Sequence, residues 1–343
     1  MNTVLATSEV PLPPASGAWR EGYPPGRRQR HVREKPLPLE AGGELPGVRL
    51  AFETWGRLAP DRSNAVLVLH ALTGDSHVAG PAEPGHPTPG WWDGLVGSGL
   101  ALDTDRWFVV APNALGGCQG STGPASFAPD GRRWGGSFPF LTQRDQVAAE
   151  ADLADALGID RWALVVGGSM GGMRALEWAV SHPERTRALL LLATTAAARA
   201  EQIAWANIQL HAIRGDPHWR GGDYHDAGPG LGPHAGLGLA RRLAHVTYRS
   251  EPELQVRFGR TPQGTEDPWT GGRYQVESYL DHHAAKLVRR FDAGSYLTLP
   301  QQAELAAGIP TADHVRVVES PYGHDGFLIE VEQVAALVGE LVG

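Results

Sequence analysis

The stretch Trp162 to Ala179, WALVVGGSMGGMRALEWA, most narrows what this chain can become. Ala163 to Val166 is a short, partly β-branched apolar run, the kind that fills a strand buried on both faces. Gly167-Gly168-Ser169-Met170-Gly171-Gly172 follows without a spacer, and Met173, Leu176, Trp178 and Val180 then recur among helix formers. Strand, tight glycine turn with a central serine, helix: this is the G-x-S-x-G nucleophile elbow. The spacing has a mechanical reason. A serine at the apex of a strained turn lifts its hydroxyl above the sheet, and glycine on either side removes Cβ atoms that would collide there. The Met170 amide, at the helix N-terminus, faces the same spot, where a developing oxyanion is stabilised.

Nucleotide-binding loops share the glycine-rich strand-to-helix turn, but they fit poorly here. A dinucleotide loop sits on the first strand of its chain and needs an acidic residue ending the next one. This strand is mid-chain, and the next apolar run, Leu189 to Ala193, ends in Thr194-Thr195. The second glycine-rich loop, Gly116 to Gly123, has no lysine before Ser121, which argues against a phosphate loop of the Walker kind.

Composition sets the outer limits. With 343 residues, 42% of them hydrophobic, the chain can build one large domain carrying an insertion, or two smaller ones. A net charge of −8 leaves no basic field for nucleic acid. No apolar run approaches the ~20 residues needed to span a bilayer, so no membrane association is expected. One cysteine, Cys118, rules out an internal disulfide and fits a reducing compartment. Prolines break up Val10 to Pro14, so no signal-peptide core is visible and a cytoplasmic location is expected. The absence of an H-E-x-x-H motif or a Cys/His cluster means that no metal is expected.

Along the chain, residues 1–35 are rich in Pro, Gly and Arg and read as a disordered tail. Val48 to Trp55 alternates as an outer strand. Ala65 to Leu69 and Trp107 to Ala111 are buried strands, Gln143 to Leu157 is a helix, and the elbow and Leu189 to Ala193 follow. This alternation specifies an α/β fold with a mostly parallel sheet. It breaks after residue 197. Residues 198–295 hold helical stretches and no clear buried strand, which reads as an inserted helical lid, and residues 36–197 and 296–343 read as the core. Sheet pattern resumes at Val315 to Val318, before a final helix, Leu328 to Leu341.

A serine nucleophile needs a base, and on this topology the order is serine, acid, histidine. His324, in a glycine-flanked loop after the last strand, takes that place. The loop after Ala65 to Leu69 supplies a second oxyanion amide in this kind of fold, and Leu72 is the candidate donor.

Seven blocks carry a specific resemblance: NAVLVLHALTGDSHVAG (64–80), GWWDGLVGSGLALDTDRWFVV (90–110), NALGGCQGSTGP (113–124), GGSMGGMRALEWA, RRLAHVTYRS (241–250), VESYLDHHAAKLVRRFDAGSYL (276–297) and SPYGHDGFL (320–328). From about residue 36 to the C-terminus the chain resembles the homoserine O-acetyltransferase family, a branch of the α/β-hydrolase fold. The resemblance implies acyl transfer from acetyl-CoA, a co-substrate rather than a bound cofactor, to the hydroxyl of L-homoserine, a step of methionine biosynthesis. It assigns the acyl-accepting nucleophile to Ser169, the base to His324, and the oxyanion amides to Met170 and Leu72. It also assigns amino-acid binding to Arg241 and Asp325, with Arg242 as the competitor of Arg241. A homodimer is implied as well. Trp205, Trp219 and Trp269 in the lid are expected to shield an acyl-enzyme from water.

One family feature is missing: the segment with a strand and an acid-bearing turn that should separate Leu299 from Pro300. If strand 315–318 slid into the vacant slot, His324 would move by roughly the ~4.8 Å between strands. Asp292, Asp313 and Glu319 are the nearest remaining carboxylates, and none matches the family's acid. The alternatives that stay open are a homoserine or serine O-succinyltransferase, a serine esterase of the same fold, and an impaired relative without the triad acid.

Overall fold

Six strands pair into one sheet: β1 (Gln29–Val32), β2 (Arg49–Trp55), β3 (Ala65–Leu69), β4 (Phe108–Pro112), β5 (Leu164–Gly168) and β6 (Leu189–Leu192). They are seen in a computed structural model, which describes residues 11–304 and 318–342. The strand order is β1-β2-β4-β3-β5-β6. β3, β4, β5 and β6 run parallel, whereas β1 and β2 form an antiparallel edge. The central strands are buried from end to end because helices cover both faces. Alternation then sorts their side chains. Leu67, Leu69 and Val165 pack with Trp162 and Trp178 under α1 (Gln143–Ala156) and α2 (Met170–Ser181). Val66, Val68 and Val166 pack on the opposite face with Trp92, Phe327, Val334 and Val338.

α1 begins where Thr142 and Asp145 form a reciprocal capping box. It is tied to α2 by a buried pair: Arg174 Nε donates to Glu150 Oε1 at 2.8 Å, and Trp178 Nε1 donates to Glu150 Oε2 at 2.7 Å. The helix that follows the elbow is therefore fixed by a charge-assisted contact as well as by packing.

Residues 200–304 are helical: α3 (Ala200–Arg214), α4 (His234–Tyr248), α5 (Glu251–Arg257), α6 (Gln275–Arg290) and α7 (Ala293–Glu304). Leu210, Ile213, Leu237, Ala240, Leu287, Tyr296 and Leu299 from these helices pack with Met170 and Cys118, so the helical layer sits directly over the elbow. A single helical turn, Gly326–Ile329, leads into α8 (Val331–Val342). No helix among the described residues is long and apolar enough to cross a membrane. Residues 315–317 of the last expected strand lie outside the described residues, as do residues 1–10 and Asp313.

The segment after residue 10 is not the loose tail that its composition suggests. Ala15, Ser16, Ala18 and Arg28 are buried, and β1 pairs with β2. Proline lacks an N–H but keeps its carbonyl, and here those carbonyls are used. Pro13 O accepts from Gly230 N at 2.8 Å, His234 Nε2 lies 2.8 Å from Pro14 O, and Pro11 O accepts from Arg289 Nη2 at 2.6 Å. Ser16 Oγ donates to Asp292 Oδ1 at 2.6 Å. Asp292, fully buried, also accepts from Tyr224 OH at 2.7 Å and from Ser295 N at 2.8 Å, and His225 Nε2 lies 3.0 Å away.

Burial alone would raise the Asp292 carboxyl; the neighbouring His225 and the hydroxyls of Ser16 and Tyr224 outweigh it and hold the group well below its ordinary 3.8. A depressed folded value adds stability above the unfolded pKa and loses it as pH falls toward the folded one. Asp292→Ala is expected to cost about 3 kcal/mol in urea unfolding at neutral pH. The difference between parent and variant should be full above about pH 5 and shrink as pH falls below 3.8.

Candidate active site

Ser169 occupies φ 55° and ψ −121°, a sparsely populated conformation for a residue with a side chain. The surroundings hold it there. Its amide donates to Leu192 O at 2.9 Å, and its carbonyl accepts from Gly172 N at 3.0 Å and from Thr194 Oγ1 at 2.8 Å. Gly171 is required by close approach, since a Cβ there would lie 2.0 Å from Leu69 O. The turn projects the serine toward the last loop of the chain, where His324 Nε2 lies 2.9 Å from Ser169 Oγ. The displacement by one strand spacing does not occur.

Burial pushes His324 below its ordinary 6.5, with Asp325 pulling weakly the other way. Among the described residues no carboxylate bonds Nδ1 of His324. Asp292 is fully engaged in its own network, and Glu319 lies at the surface, its amide donating to Gln333 Oε1 at 2.9 Å.

Met170 and Leu72 pack in the same cluster beside the serine. As the first residue of α2, Met170 has an amide with no intrahelical acceptor. The loop that carries Leu72 is fixed by His70, a residue to which the sequence reading gave no role. His70 Nε2 accepts from Ala114 N at 2.9 Å, so the proton sits on Nδ1, which donates to Ala71 O at 2.8 Å. Burial, reinforced by Arg174, lowers this imidazole to about 3, and it stays neutral at any working pH.

The two arginine candidates separate clearly. Arg242 is paired with Asp281 of α6 at 2.8 Å. Arg241 turns inward to the Leu72 loop, its Nη1 donating to Thr73 Oγ1 at 3.3 Å, and its Nε is buried without a hydrogen-bond partner. Arg290 reaches the same threonine, donating from Nη1 to Thr73 O at 2.9 Å. Asp325 follows the base directly and faces Arg249, with 3.4 Å between Oδ2 and Nε. The site thus holds a nucleophile–base pair, a guanidinium whose Nε is buried without a partner and a largely buried carboxylate. The expected tryptophan shield is not assembled: Trp269 is 87% exposed and Trp205 lies at the surface, while Trp219 packs on Tyr224 with 5.5 Å between ring centroids. Trp205 lies on α3, and Trp219 and Trp269 lie at short turns between the helices.

One group of three possible metal ligands occurs among the described residues: Glu53, His77 and His86, all buried. Its geometry suits hydrogen bonding instead. The two imidazoles are stacked, 3.8 Å apart and 12° from parallel, so one ion could not lie in both ring planes. Glu53 accepts from Ser76 Oγ at 2.8 Å and lies 3.0 Å from His77 Nδ1, and His86 Nε2 accepts from Arg27 N at 3.1 Å.

The alpha/beta hydrolase fold family matches over residues 64–329. A homoserine O-acetyltransferase of Thermobifida fusca is 61% identical, over 98% of this chain and all of that protein. The enzyme of the same name from Mycobacterium tuberculosis is 50% identical, over 90% of this chain and 91% of that protein. This chain belongs to the homoserine O-acetyltransferase family. Solved structures agree on the fold: a homoserine O-acetyltransferase from Bacillus anthracis superposes with a TM-score of 0.81 at 24% identity, covering 92% of this chain and 97% of that one. Esterase E22 superposes with a TM-score of 0.79 at 23% identity, covering 92% of this chain and all of that one. The Thermobifida alignment runs over 378 positions against a chain of 343, so at least 35 positions of it face no residue here. A missing internal segment of a few dozen residues agrees with that gap.

A buried base with a lowered pKa stays neutral, and so able to take a proton, further into acid. The acid limb of kcat/KM for the acyl donor is expected to have its midpoint below pH 6.5. A pH–rate profile of the first half-reaction checks this.

Proposed function

We propose that this chain transfers an acetyl group from acetyl-CoA to the hydroxyl of L-homoserine through an acyl-Ser169 intermediate, in methionine biosynthesis. The observation that carries the reading is the 2.9 Å contact between Ser169 Oγ and His324 Nε2 on a strained elbow. Ser169 Oγ attacks the thioester carbonyl as His324 Nε2 takes its proton. The amides of Met170 and Leu72 hold the tetrahedral oxyanion. The bond to sulfur breaks, and the thiolate leaves with the proton from His324. Arg241 then holds the carboxylate of homoserine and Asp325 its ammonium. His324 takes the hydroxyl proton, the hydroxyl oxygen attacks the acyl carbon, and Ser169 recovers its proton as the ester leaves. Residues 198–295 act as the lid over this site, in line with the packing of α3, α4 and α6 above Met170. The working form is a cytoplasmic homodimer that takes small-molecule substrates only.

The alignment gap, and the lack of a carboxylate on His324 Nδ1 among the described residues, favour a second reading, a relative of the same specificity slowed by loss of its acid. Removing only that member of a triad costs ~10⁴-fold in rate.

Release of free thiol from acetyl-CoA in the presence of homoserine is expected to exceed that of a Ser169→Ala control by at least about 10²-fold, because residual triads still outpace water. Succinyl-CoA and serine, run in parallel, are expected to be poorer substrates. A rate equal to that of the control would overturn the acyl-transfer reading. Arg241→Ala should raise the homoserine KM by about tenfold or more while leaving the donor KM unchanged.

A further inference from the structure

The loop that carries His324 is seated on the helical layer. The Tyr248 ring lies 5.4 Å from that of His324. Ser250 Oγ, which accepts from Glu253 N at 3.2 Å to cap α5, also donates to Pro321 O. Gly323 adopts φ 65°, and a Cβ there would sit 2.9 Å from both Ser250 N and Tyr248 O. The loop backbone and the α4–α5 junction are therefore in direct contact.

Three charged side chains meet in this seam, with Arg249 between two carboxylates. Arg249 Nε is 3.4 Å from Asp325 Oδ2, and its Nη1 is 3.7 Å from Glu253 Oε1. The three side chains are 13%, 16% and 7% exposed respectively, so solvent screens their charges little. Burial pushes the Asp325 carboxyl up; Arg249 is the foremost influence holding it down, followed by His324 and Arg241, while Glu253 acts the other way. The Nε of Arg249 makes no aligned hydrogen bond. The contact is charge against charge, and the Asp325 oxygens keep lone pairs for a second cation.

We propose that Arg249 is a positioning residue for the amino-acid acceptor: bridging Asp325 and Glu253 across this seam, it keeps the Asp325 carboxylate charged and seated beside His324 to receive the acceptor's ammonium. The proposal rests on the reading of Asp325 as the ammonium site. A guanidinium suits the task because its fork faces two carboxylates at once, whereas a lysine ammonium is a single point of charge. The acyl donor has no use for Asp325, so loss of Arg249 should fall on the acceptor alone.

The test is steady-state kinetics of the full chain with donor and acceptor varied separately, alongside calorimetric binding of homoserine, which does not depend on fast turnover. Arg249→Met and Arg249→Gln, the second keeping polarity without charge, are expected to weaken homoserine by about tenfold or more in KM and in affinity. The donor KM and the first-turnover thiol release should stay within about twofold, and Arg249→Lys should recover part of the loss. Asp325→Asn should show the same acceptor-only pattern. Unchanged homoserine binding in both neutral Arg249 variants, with Asp325→Asn impaired, would overturn the proposal and leave the Asp325 assignment standing. Unchanged binding in Asp325→Asn would overturn both. Equal losses for donor and acceptor with no recovery by lysine would mark a purely structural seam and overturn the proposal as well.

Discussion

The Ser169–His324 contact is the constraint on which the remainder of the site depends. One partner rides on a strand-to-helix turn in the middle of the chain, the other on a loop near its end, and each is held by different means. The serine is fixed by the backbone: Leu192 and Thr194 bind its amide and carbonyl, and glycine permits the close crossing of α2 over Leu69. Such a strained residue persists only where its neighbours over-determine it. The histidine is fixed by side chains and by contacts from the helical layer, because its loop is flanked by glycine and has little regular structure of its own.

The elbow, the placing of His324 in a loop near the end of the chain and the succession of buried strands along it were legible in the sequence because each rests on local chemistry. A buried parallel strand must be a short apolar run, and a nucleophile turn must be glycine-rich. The helical character of residues 198–295 was legible from period and from the lack of β-branched runs, though the short helix Glu251–Arg257 was not. Its seven residues are too few to establish a period. The N-terminal segment was misread for a related reason. Its order comes from proline carbonyls and one serine hydroxyl meeting partners more than 200 residues away, as in the bond of Ser16 to Asp292, and no window along the sequence contains both ends of such a bond.

Directions of side chains were harder to read than positions. Arg241 and Arg242 are neighbours of the same chemistry on one helix, yet a rotation of 100° per residue sends one to the Leu72 loop and the other to Asp281. His70 gave a signal in hindsight, a polar residue closing a fully apolar strand. Only the partners at both of its ring nitrogens reveal that it braces the loop rather than taking part in chemistry. Hydrogen-bond partners explain the contrast with His324, since burial lowers both. Both imidazoles are kept neutral, but one has each nitrogen spent on backbone and the other faces a hydroxyl.

The bond from Ser16 to Asp292 joins residues 276 apart, and the nucleophile and its base are 155 apart. Contacts of such long sequence separation form late, since loop closure must be met before they return anything. During synthesis the sheet can therefore assemble around the elbow while the helical layer and the final loop are still unmade. A half-made chain carries a poised but unassisted hydroxyl. Acyl chemistry would begin only when the last few dozen residues clear the ribosome and the first ordered ones are pinned against the helical layer.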